Sequence, residues 1–233
     1  MSPPQWLESI GFLSERSILP HVTIISGAGG ITREAPDLQI IRDSGASIAH
    51  CPLVMARHGM ALHSFRKYGD VGINIGMGTD THPPDMILNM QIGLLLCRTV
   101  EEDAQASRAE DFYNASTLGG ASALGRSDLG RLSPGAKADM IVIDFDEPSM
   151  GQNIDPIQTL MLNGSGREVH TVVINGRFVM EDGCIPEVDD RELRRQAQSQ
   201  FNRLVAQYPR RTFGQPKLEE IFSSSYRLKG RSS

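Results

Sequence analysis

The stretch DLQIIRDSGASIAHCP, from Asp37 to Pro52, sets the expectation for the fold because it joins a helix pattern directly to a strand pattern. Asp37 is a suitable N-cap for a helix, and Gly45 is the residue type that most often follows a helix C-terminus. Residues 46–52, ASIAHCP, then predict a short buried strand. A helix that leads at once into a buried strand favours the α/β class.

The same alternation continues on both sides of this stretch. Residues 17–26, SILPHVTIIS, form an apolar and β-branched run typical of a buried strand, and residues 71–80, VGINIGMGTD, form another. Three strand and helix units in succession predict a parallel sheet with right-handed crossovers. The further predicted helices cover residues 60–68, 86–100 and 108–124.

A small β unit is predicted to follow near Leu129, where short strands and glycine turns replace the α/β pattern. Residues 138–145 predict a strand, and residues 168–183 alternate around Asn175-Gly176, which is a strong hairpin signal. The charged segment Asp189 to Tyr208 predicts a helix, and residues 223–233 predict a poorly ordered end. The expected parts of the chain are residues 1–128, 129–185 and 186–233.

Composition narrows the possible partners and compartments. The chain has 233 residues, and its 28 acidic side chains exceed its 23 basic ones. A net charge of -5 without a basic cluster disfavours nucleic acid and anionic membranes as partners. The cysteines Cys51, Cys97 and Cys184 form no CxxC pair, and residues 1–10 show no leader pattern. These features predict a protein of the reducing cytoplasm.

Three polar residues lie where strands of the predicted sheet end: His21, His50 and Asp80. In parallel α/β folds the loops after the strands form the ligand-binding face. An ionised carboxylate at the position of Asp80 needs a metal, a cation or several N–H donors to offset its desolvation. The alternative is that Asp80 only caps the next helix or closes a turn.

The histidines have a similar pair of interpretations. A histidine can ligate a metal, donate to a substrate oxygen or move a proton, yet a lone histidine is more often a structural residue. His58 and His82 lie in loops that could border a pocket, whereas His63 on a predicted helix and His170 in the β unit are weaker candidates. Cys51 follows His50 directly, and adjacent strand residues point to opposite faces, which disfavours a Cys–His nucleophile.

An ordered series of motifs resembles a known family. Its members are HCP at 50–52, GTD at 78–80, STLGGASALG at 116–125, GRLSPGAKADMIVID at 130–144 and VVINGRFV at 172–179. Together they resemble the cytosine deaminase, guanine deaminase and triazine chlorohydrolase branch of the amidohydrolase superfamily. The resemblance covers roughly residues 15–183 and concerns the C-terminal half of the family pattern.

The resemblance implies a fold and a set of roles. The expected fold is the C-terminal part of a (β/α)₈ TIM barrel, strands six to eight, followed by part of a small β-sandwich. Asp80 resembles the eighth-strand aspartate that binds one divalent metal, zinc or iron, and takes a proton from the attacking water. His21 resembles the sixth-strand histidine that orients or polarises the substrate. His50, with His58 and His82, is expected to contact substrate, although residues 53–57 depart from the family's Ser-Asn pattern.

In the family, an HxH pair on the first strand and a histidine on the fifth, with a glutamate nearby, complete the site, and these have no counterpart in the sequence. No HxH pair occurs in the chain, nor a His followed closely by Glu, so these elements are expected to precede Met1 or to come from a second polypeptide. With one carboxylate of four protein ligands, the chain alone is expected to be inactive. A homo-oligomer or a partner that supplies the N-terminal half is therefore expected.

The function implied for the intact protein is metal-assisted hydrolysis of a carbon–nitrogen bond in a small heterocyclic substrate. Deamination of a purine, pyrimidine or triazine is the first expectation, and chlorohydrolysis on the same fold is the alternative. A truncated, non-catalytic fragment is another. A sugar- or nucleotide-binding α/β domain is a weaker possibility, because the sequence has no GxGxxG or Walker pattern.

Overall fold

The computed structural model describes residues 1–32, 35–62 and 64–226. His63 and the end of the chain beyond residue 226 therefore lie outside the described residues, together with the predictions made for them. Two compact units are present, Met1–Gly183 and Cys184–Ser233. No helix among the described residues is long and apolar enough to cross a bilayer.

A three-stranded parallel sheet forms the centre of the first unit. Its strands are β1 (Ile18–Pro20), β2 (Ser47–His50) and β3 (Ile75–Met77), in the order β1-β2-β3. The predicted α/β class and parallel pairing are confirmed. The assignment of these strands as six to eight of a TIM barrel stays a prediction.

The helices around this sheet follow the predicted pattern in part. They are α1 (Pro3–Ser9), α2 (Asp37–Ser44), α3 (Pro52–Arg57), α4 (Phe65–Asp70), α5 (Met86–Val100), α6 (Ala109–Asn114) and α7 (Gly120–Ala123). Helix α5 has the predicted bounds, and Asp85 caps it by accepting the Leu88 N–H. Helix α2 ends at Gly45, which has the left-handed φ of 73° that a glycine adopts without cost.

Three of the predicted elements differ from the structure in their bounds or in their helix type. The helix predicted at residues 60–68 is wrong in its start, because Ser64 caps α4 through the Lys67 N–H and the preceding residues 60–62 are not helical. The strand predicted at 17–26 ends at Pro20, since His21 and Val22 turn the backbone to positive φ. The helix predicted at 108–124 contains a π-helical turn, Ala115–Gly119, between α6 and α7.

Asp37 is not the helix N-cap that the sequence predicts. Pro36 occupies the N-cap position of α2, and Asp37 lies inside the first turn with 1% of its surface exposed. Its carboxylate accepts the Ser2 hydroxyl at 2.6 Å and the Ser26 N–H at 2.7 Å. Buried carboxylates require such donors, so Asp37 fixes the N-terminal segment and the loop after β1 instead of capping the helix through its side chain.

The predicted hairpin is present in a second sheet. Strand β4 (Met140–Ile143) pairs antiparallel with β5 (Val169–Ile174), which pairs antiparallel with β6 (Arg177–Met180). The turn residues Asn175 and Gly176 have φ values of 50° and 76°, as a two-residue hairpin turn requires. The second layer of the expected β-sandwich stays a prediction.

The predicted division at residues 128/129 does not coincide with a division between compact units. Helix α8 (Pro156–Asn163) packs against α5 and α6, and the Gly166 N–H donates to the Asp85 carboxylate at 2.8 Å. Residues 129–183 are therefore built onto the α/β part. In the second unit, α9 (Asp190–Arg211) is capped by Asp189 and is followed by α10 (Leu218–Ile221).

Candidate active site

The end of β1 is an unusual turn that carries His21. The Val22 N–H donates to the Pro20 carbonyl at 2.7 Å, which closes a γ-turn around His21, whose φ is 63°. Val22 follows with a φ of 49°, and a β-branched residue in this region is a genuine outlier. Each such conformation costs about 1–3 kcal/mol and persists only when the surroundings enforce it.

This turn brings His21 to Asp80. The Nε2 atom of His21 lies 3.3 Å from Oδ2 of Asp80, and Asp80 itself has a φ of 44° just beyond β3. The His21 side chain is 25% exposed and that of Asp80 is 61% exposed, so the pair stands at the surface of the sheet edge. The structure thus joins two residues that lie 59 positions apart in the sequence.

Two buried polar atoms at this edge lack a hydrogen-bond partner within the described ranges: Nδ1 of His21 and Nδ1 of His50. Buried polar groups are nearly always paired, so an unpaired one calls for an explanation such as a catalytic role. Both orphan atoms are imidazole nitrogens at the ends of neighbouring strands. Their position singles out this edge of the sheet within the described part of the chain.

His50 is a core residue in this structure. It is 3% exposed, and its ring centroid lies 5.9 Å from that of Phe65 and 6.4 Å from that of Phe112. The cavity beside it measures about 10 Å³, which is room for no more than one water molecule. The surroundings of His50 are those of a packed aromatic cluster, and its contact with substrate stays a prediction.

Burial makes His50 sensitive to pH. Desolvation by burial is the main cause, and the nearby His21 a smaller one, of a pKa of His50 that is lowered to about 4 from the ordinary 6.5. The unfolded chain therefore binds more protons than the folded chain between these two values. We expect the free energy of unfolding to be fully retained above pH 6.5 and to fall by ~3 kcal/mol as the pH drops to about 4.

Urea unfolding at a series of pH values checks this expectation. A His50→Leu variant keeps an apolar side chain of similar bulk and removes the titrating group, so its stability should change less over the same pH range. Equal pH dependence in the two proteins would show that His50 does not titrate in this way.

Cys51 is a buried thiol whose surroundings disfavour the thiolate form. Burial raises the pKa of the Cys51 thiol to about 11, and the Asp80 carboxylate raises it in the same direction. A side chain at Gly78 would place its Cβ 2.8 Å from the Cys51 sulfur, so the glycine in the GTD motif makes room for this thiol. The protonated, packed thiol agrees with the sequence argument against a Cys–His pair.

The other predicted histidines lie apart from the pair. His58 is exposed at the end of α3 and contacts the Val54 carbonyl at 2.9 Å through Nδ1. His82 is exposed and precedes Pro83. Neither makes a recorded polar contact with His21 or Asp80 among the described residues, so their substrate contacts stay predictions.

Sequence reasoning missed a contact between two loops of this edge. The Arg57 guanidinium donates to the Thr81 hydroxyl at 2.8 Å, which joins the helix after β2 to the loop after β3. Arg57 is exposed, and no carboxylate of the described residues lies in salt-bridge range of it. The sequence signal for a role of Arg57 at this edge is its position seven residues after His50, which ends a strand.

The comparison with protein families shows which family the chain belongs to. A description of the amidohydrolase family matches residues 1–179, which includes the whole parallel sheet and the hairpin of the second sheet up to Val179. The chain belongs to the amidohydrolase family. In this amidohydrolase chain the matched residues include both His21 and Asp80.

Curated relatives of this amidohydrolase chain are deaminases by name. The 5-methylthioadenosine/S-adenosylhomocysteine deaminase of Natronomonas pharaonis is 26% identical over 208 residues, covering 88% of this chain and 46% of the relative. The enzyme of the same name from Pelotomaculum thermopropionicum is 32% identical over 173 residues, covering 72% of this chain and 40% of the relative. The chain thus spans about half the length of the curated relatives it matches.

Solved structures agree with the fold. An adenosine deaminase from Xanthomonas campestris with bound zinc superposes with a TM-score of 0.78 at 23% identity, covering 87% of this chain and 45% of that one. The atrazine chlorohydrolase of Arthrobacter aurescens TC1, complexed with zinc, gives a TM-score of 0.73 at 25% identity, covering 85% and 44%. Both matches cover somewhat less than half of the solved chain.

The donor set of this amidohydrolase chain does not by itself make a metal site. Within residues 1–32, 35–62 and 64–226, no three His, Cys, Asp or Glu side chains stand close enough together to hold a metal ion. Asp80 offers one carboxylate, and His21 is already in contact with it. A zinc site needs three or four protein ligands, so the described residues do not by themselves make up a zinc site.

Proposed function

We propose that this chain forms part of a metal-dependent amidohydrolase that removes an amino group from a heterocyclic ring by hydrolysis. The observation that carries the proposal is the contact between His21 and Asp80, 3.3 Å apart at the ends of β1 and β3. Loops at the ends of parallel strands are where such folds bind their substrates. Two strained backbone turns hold this one pair together, which is typical of a functional site.

The two side chains have different parts in the proposed reaction. A water oxygen attacks the ring carbon that bears the amino group, and the Asp80 carboxylate accepts a proton from that water. His21 stands beside the carboxylate and stabilises the charge that develops on the ring. The carbon–oxygen bond forms, Asp80 passes the proton taken from the water to the amino nitrogen, and the carbon–nitrogen bond breaks so that the nitrogen leaves as ammonia.

The names of the relatives point to adenine nucleosides as the first substrates to test. The curated relatives are named for 5-methylthioadenosine, S-adenosylhomocysteine and 5'-deoxyadenosine. The structural likeness to an atrazine chlorohydrolase supports the alternative, in which the same attack expels chloride from a ring carbon. Since attack by water is common to both reactions, the leaving group is what distinguishes them.

The complete site is proposed to hold a divalent metal, zinc or iron, with Asp80 as one ligand. The other ligands would come from residues outside this chain, either in a partner polypeptide or in a longer form of the protein. Self-association is the other arrangement that could bring more donors together. Cys51, Cys97 and Cys184 are all free thiols, which supports a cytoplasmic location.

The test uses protein isolated from its source cells through a C-terminal tag, so that any polypeptide that completes the site is retained. The preparation is incubated with 5'-methylthioadenosine, with 5'-deoxyadenosine and with atrazine. Ammonia and chloride are measured, together with zinc and iron content and the mass of the assembly. We expect ammonia from an adenine nucleoside, about one metal per site and incorporation of one oxygen from labelled water into the product.

Each outcome has a definite meaning. Chloride release without ammonia would favour the chlorohydrolase. Metal-free material that releases neither product would overturn the enzymatic proposal and favour a non-catalytic fragment. The untagged 233-residue chain purified from a heterologous host is the matching control. It should lack tightly bound metal and turnover if another polypeptide or a longer form completes the site, and should have both if self-association does.

A further inference from the structure

Tyr68 is a buried residue whose hydroxyl reaches the turn that carries His21. It lies in α4 with none of its surface exposed and belongs to the main hydrophobic core. Its hydroxyl donates to the Val22 carbonyl at 2.9 Å. Tyr68, in the helix before β3, is thereby bonded to Val22, the residue after His21.

The carbonyl that accepts this bond belongs to Val22, a residue with a strained backbone conformation. Val22 is β-branched and has a φ of 49°, a region that such residues rarely adopt. On its N-terminal side the turn is held by the His21 N–H, which donates to the Ala49 carbonyl at 2.9 Å. On its C-terminal side the turn is held by the Tyr68 hydroxyl, which donates to the Val22 carbonyl.

We infer that Tyr68 is a positioning residue for His21: its hydroxyl holds the Val22 carbonyl and thereby keeps the γ-turn that aims the imidazole at Asp80. The inference rests on the proposed function for the meaning of the His21 and Asp80 contact. The hydrogen bond and the backbone turn that it concerns are independent of the reaction.

The environment keeps Tyr68 suited to this task. Burial raises the pKa of the Tyr68 phenol well above its ordinary value, and the Asp37 carboxylate raises it in the same direction. The phenol therefore remains protonated and able to donate. The Asp37 carboxylate accepts the Ser26 N–H and so fixes the loop after β1 at a second point. Tyr68 fixes the same loop at Val22.

The competing interpretation is that Tyr68 only fills the core. Its ring contacts the core whether or not the hydroxyl is present, and a packing role does not depend on the conformation of Val22. A positioning role does depend on it. If Val22 is replaced by glycine, which adopts positive φ readily, the turn should no longer need the hydroxyl to hold it.

The experiment compares Tyr68→Phe, Val22→Gly and the double variant with the parent, and uses Tyr113→Phe as the matched control. Tyr113 is a 37% exposed tyrosine on α6, away from the turn. The first readout, on the 233-residue chain, is the three-bond coupling between the amide and α protons of residue 22, which reports φ. The second, on the tagged native preparation, is kcat separately from KM, with melting temperature as a check on folding.

The positioning role predicts that Tyr68→Phe shifts the coupling at Val22 towards extended values and lowers kcat by about tenfold with little change in KM. The double variant should regain most of the lost kcat, and Tyr113→Phe should match the parent. An unchanged coupling at Val22, or a kcat loss that Val22→Gly does not restore, would overturn the inference. If the parent proves inactive while the coupling responds as expected, the proposed function fails and the hold of Tyr68 on the turn stands.

Discussion

Replacing Asp80 by Asn is expected to lower kcat of the native preparation by about 10³-fold while the protein stays folded. Asparagine has nearly the same shape as aspartate, yet it carries no charge and cannot accept the proton of an attacking water. The proposed metal would also lose one of its anionic ligands. Both losses act on the reaction, whereas Asp80 is 61% exposed and contributes little to the core.

The chain offers a closely matched control in Asp182. Asp182 contacts the Nε2 atom of His170 at 3.0 Å and has a φ of 50°, so it shares with Asp80 a histidine partner and a positive φ, and at 87% it is the more exposed of the two. It lies in the turn after β6, away from the parallel sheet. Asp182→Asn should leave kcat and metal content unchanged.

Steady-state kinetics and metal analysis of the two variants decide the matter. If Asp80→Asn retains more than about a tenth of the parent kcat with full metal content, Asp80 is neither the proton acceptor nor an essential ligand. A loss that is equal in both variants would mean that a general effect on the fold, and not the position of Asp80, is responsible.

The main lines of the fold could be predicted from the sequence because they depend on short-range patterns. Gly45 and Asp85 mark the ends of their helices by chemistry that is local to the chain. The strand-end rule also selected both His21 and Asp80, because parallel strands bring their C-terminal ends to one edge. That these two residues touch could not be predicted from the strand order, because β2 lies between β1 and β3.

What the sequence could not reveal depends on contacts between distant segments. Residues 17–26 match the pattern of one continuous strand because several of them are β-branched. The chain nevertheless turns after Pro20, where the Ala49 carbonyl accepts from the His21 N–H and the Tyr68 hydroxyl donates to the Val22 carbonyl. The burial of His50 likewise depends on Phe65 and Phe112, which approach it from two different helices. Local propensity carries no information about either arrangement.

The π-helical turn Ala115–Gly119 is another feature that local sequence patterns do not predict. Its last residue, Gly119, is the site of the second substitution with a large expected effect. Gly119 packs its backbone directly on β3, so that an added Cβ would overlap the carbonyl oxygen of Ile75. Its own carbonyl accepts from the Asn74 side chain at 3.1 Å. Gly119→Ala is therefore expected to destabilise the chain by about 3 kcal/mol, or roughly 10 °C in melting temperature, because backbone atoms on both sides must separate.

The neighbouring glycine provides the control for this substitution. A Cβ at Gly120 would meet its nearest atom, the Ala115 carbonyl oxygen, at 3.9 Å, which is an ordinary contact. Gly120→Ala should leave stability within about 1 kcal/mol of the parent and could raise it, since alanine favours a helix over glycine. Thermal and urea unfolding of the two variants measure the difference.

The position of Gly119 also ties stability to the site. Because β3 leads within three residues from Met77 to Asp80, a displacement of Ile75 is expected to disturb the contact between Asp80 and His21 as well. Equal stabilities of Gly119→Ala and Gly120→Ala would show that the π-helical turn can move off β3 without cost. In that case the close packing at Ile75 would not be what fixes the strand that presents Asp80.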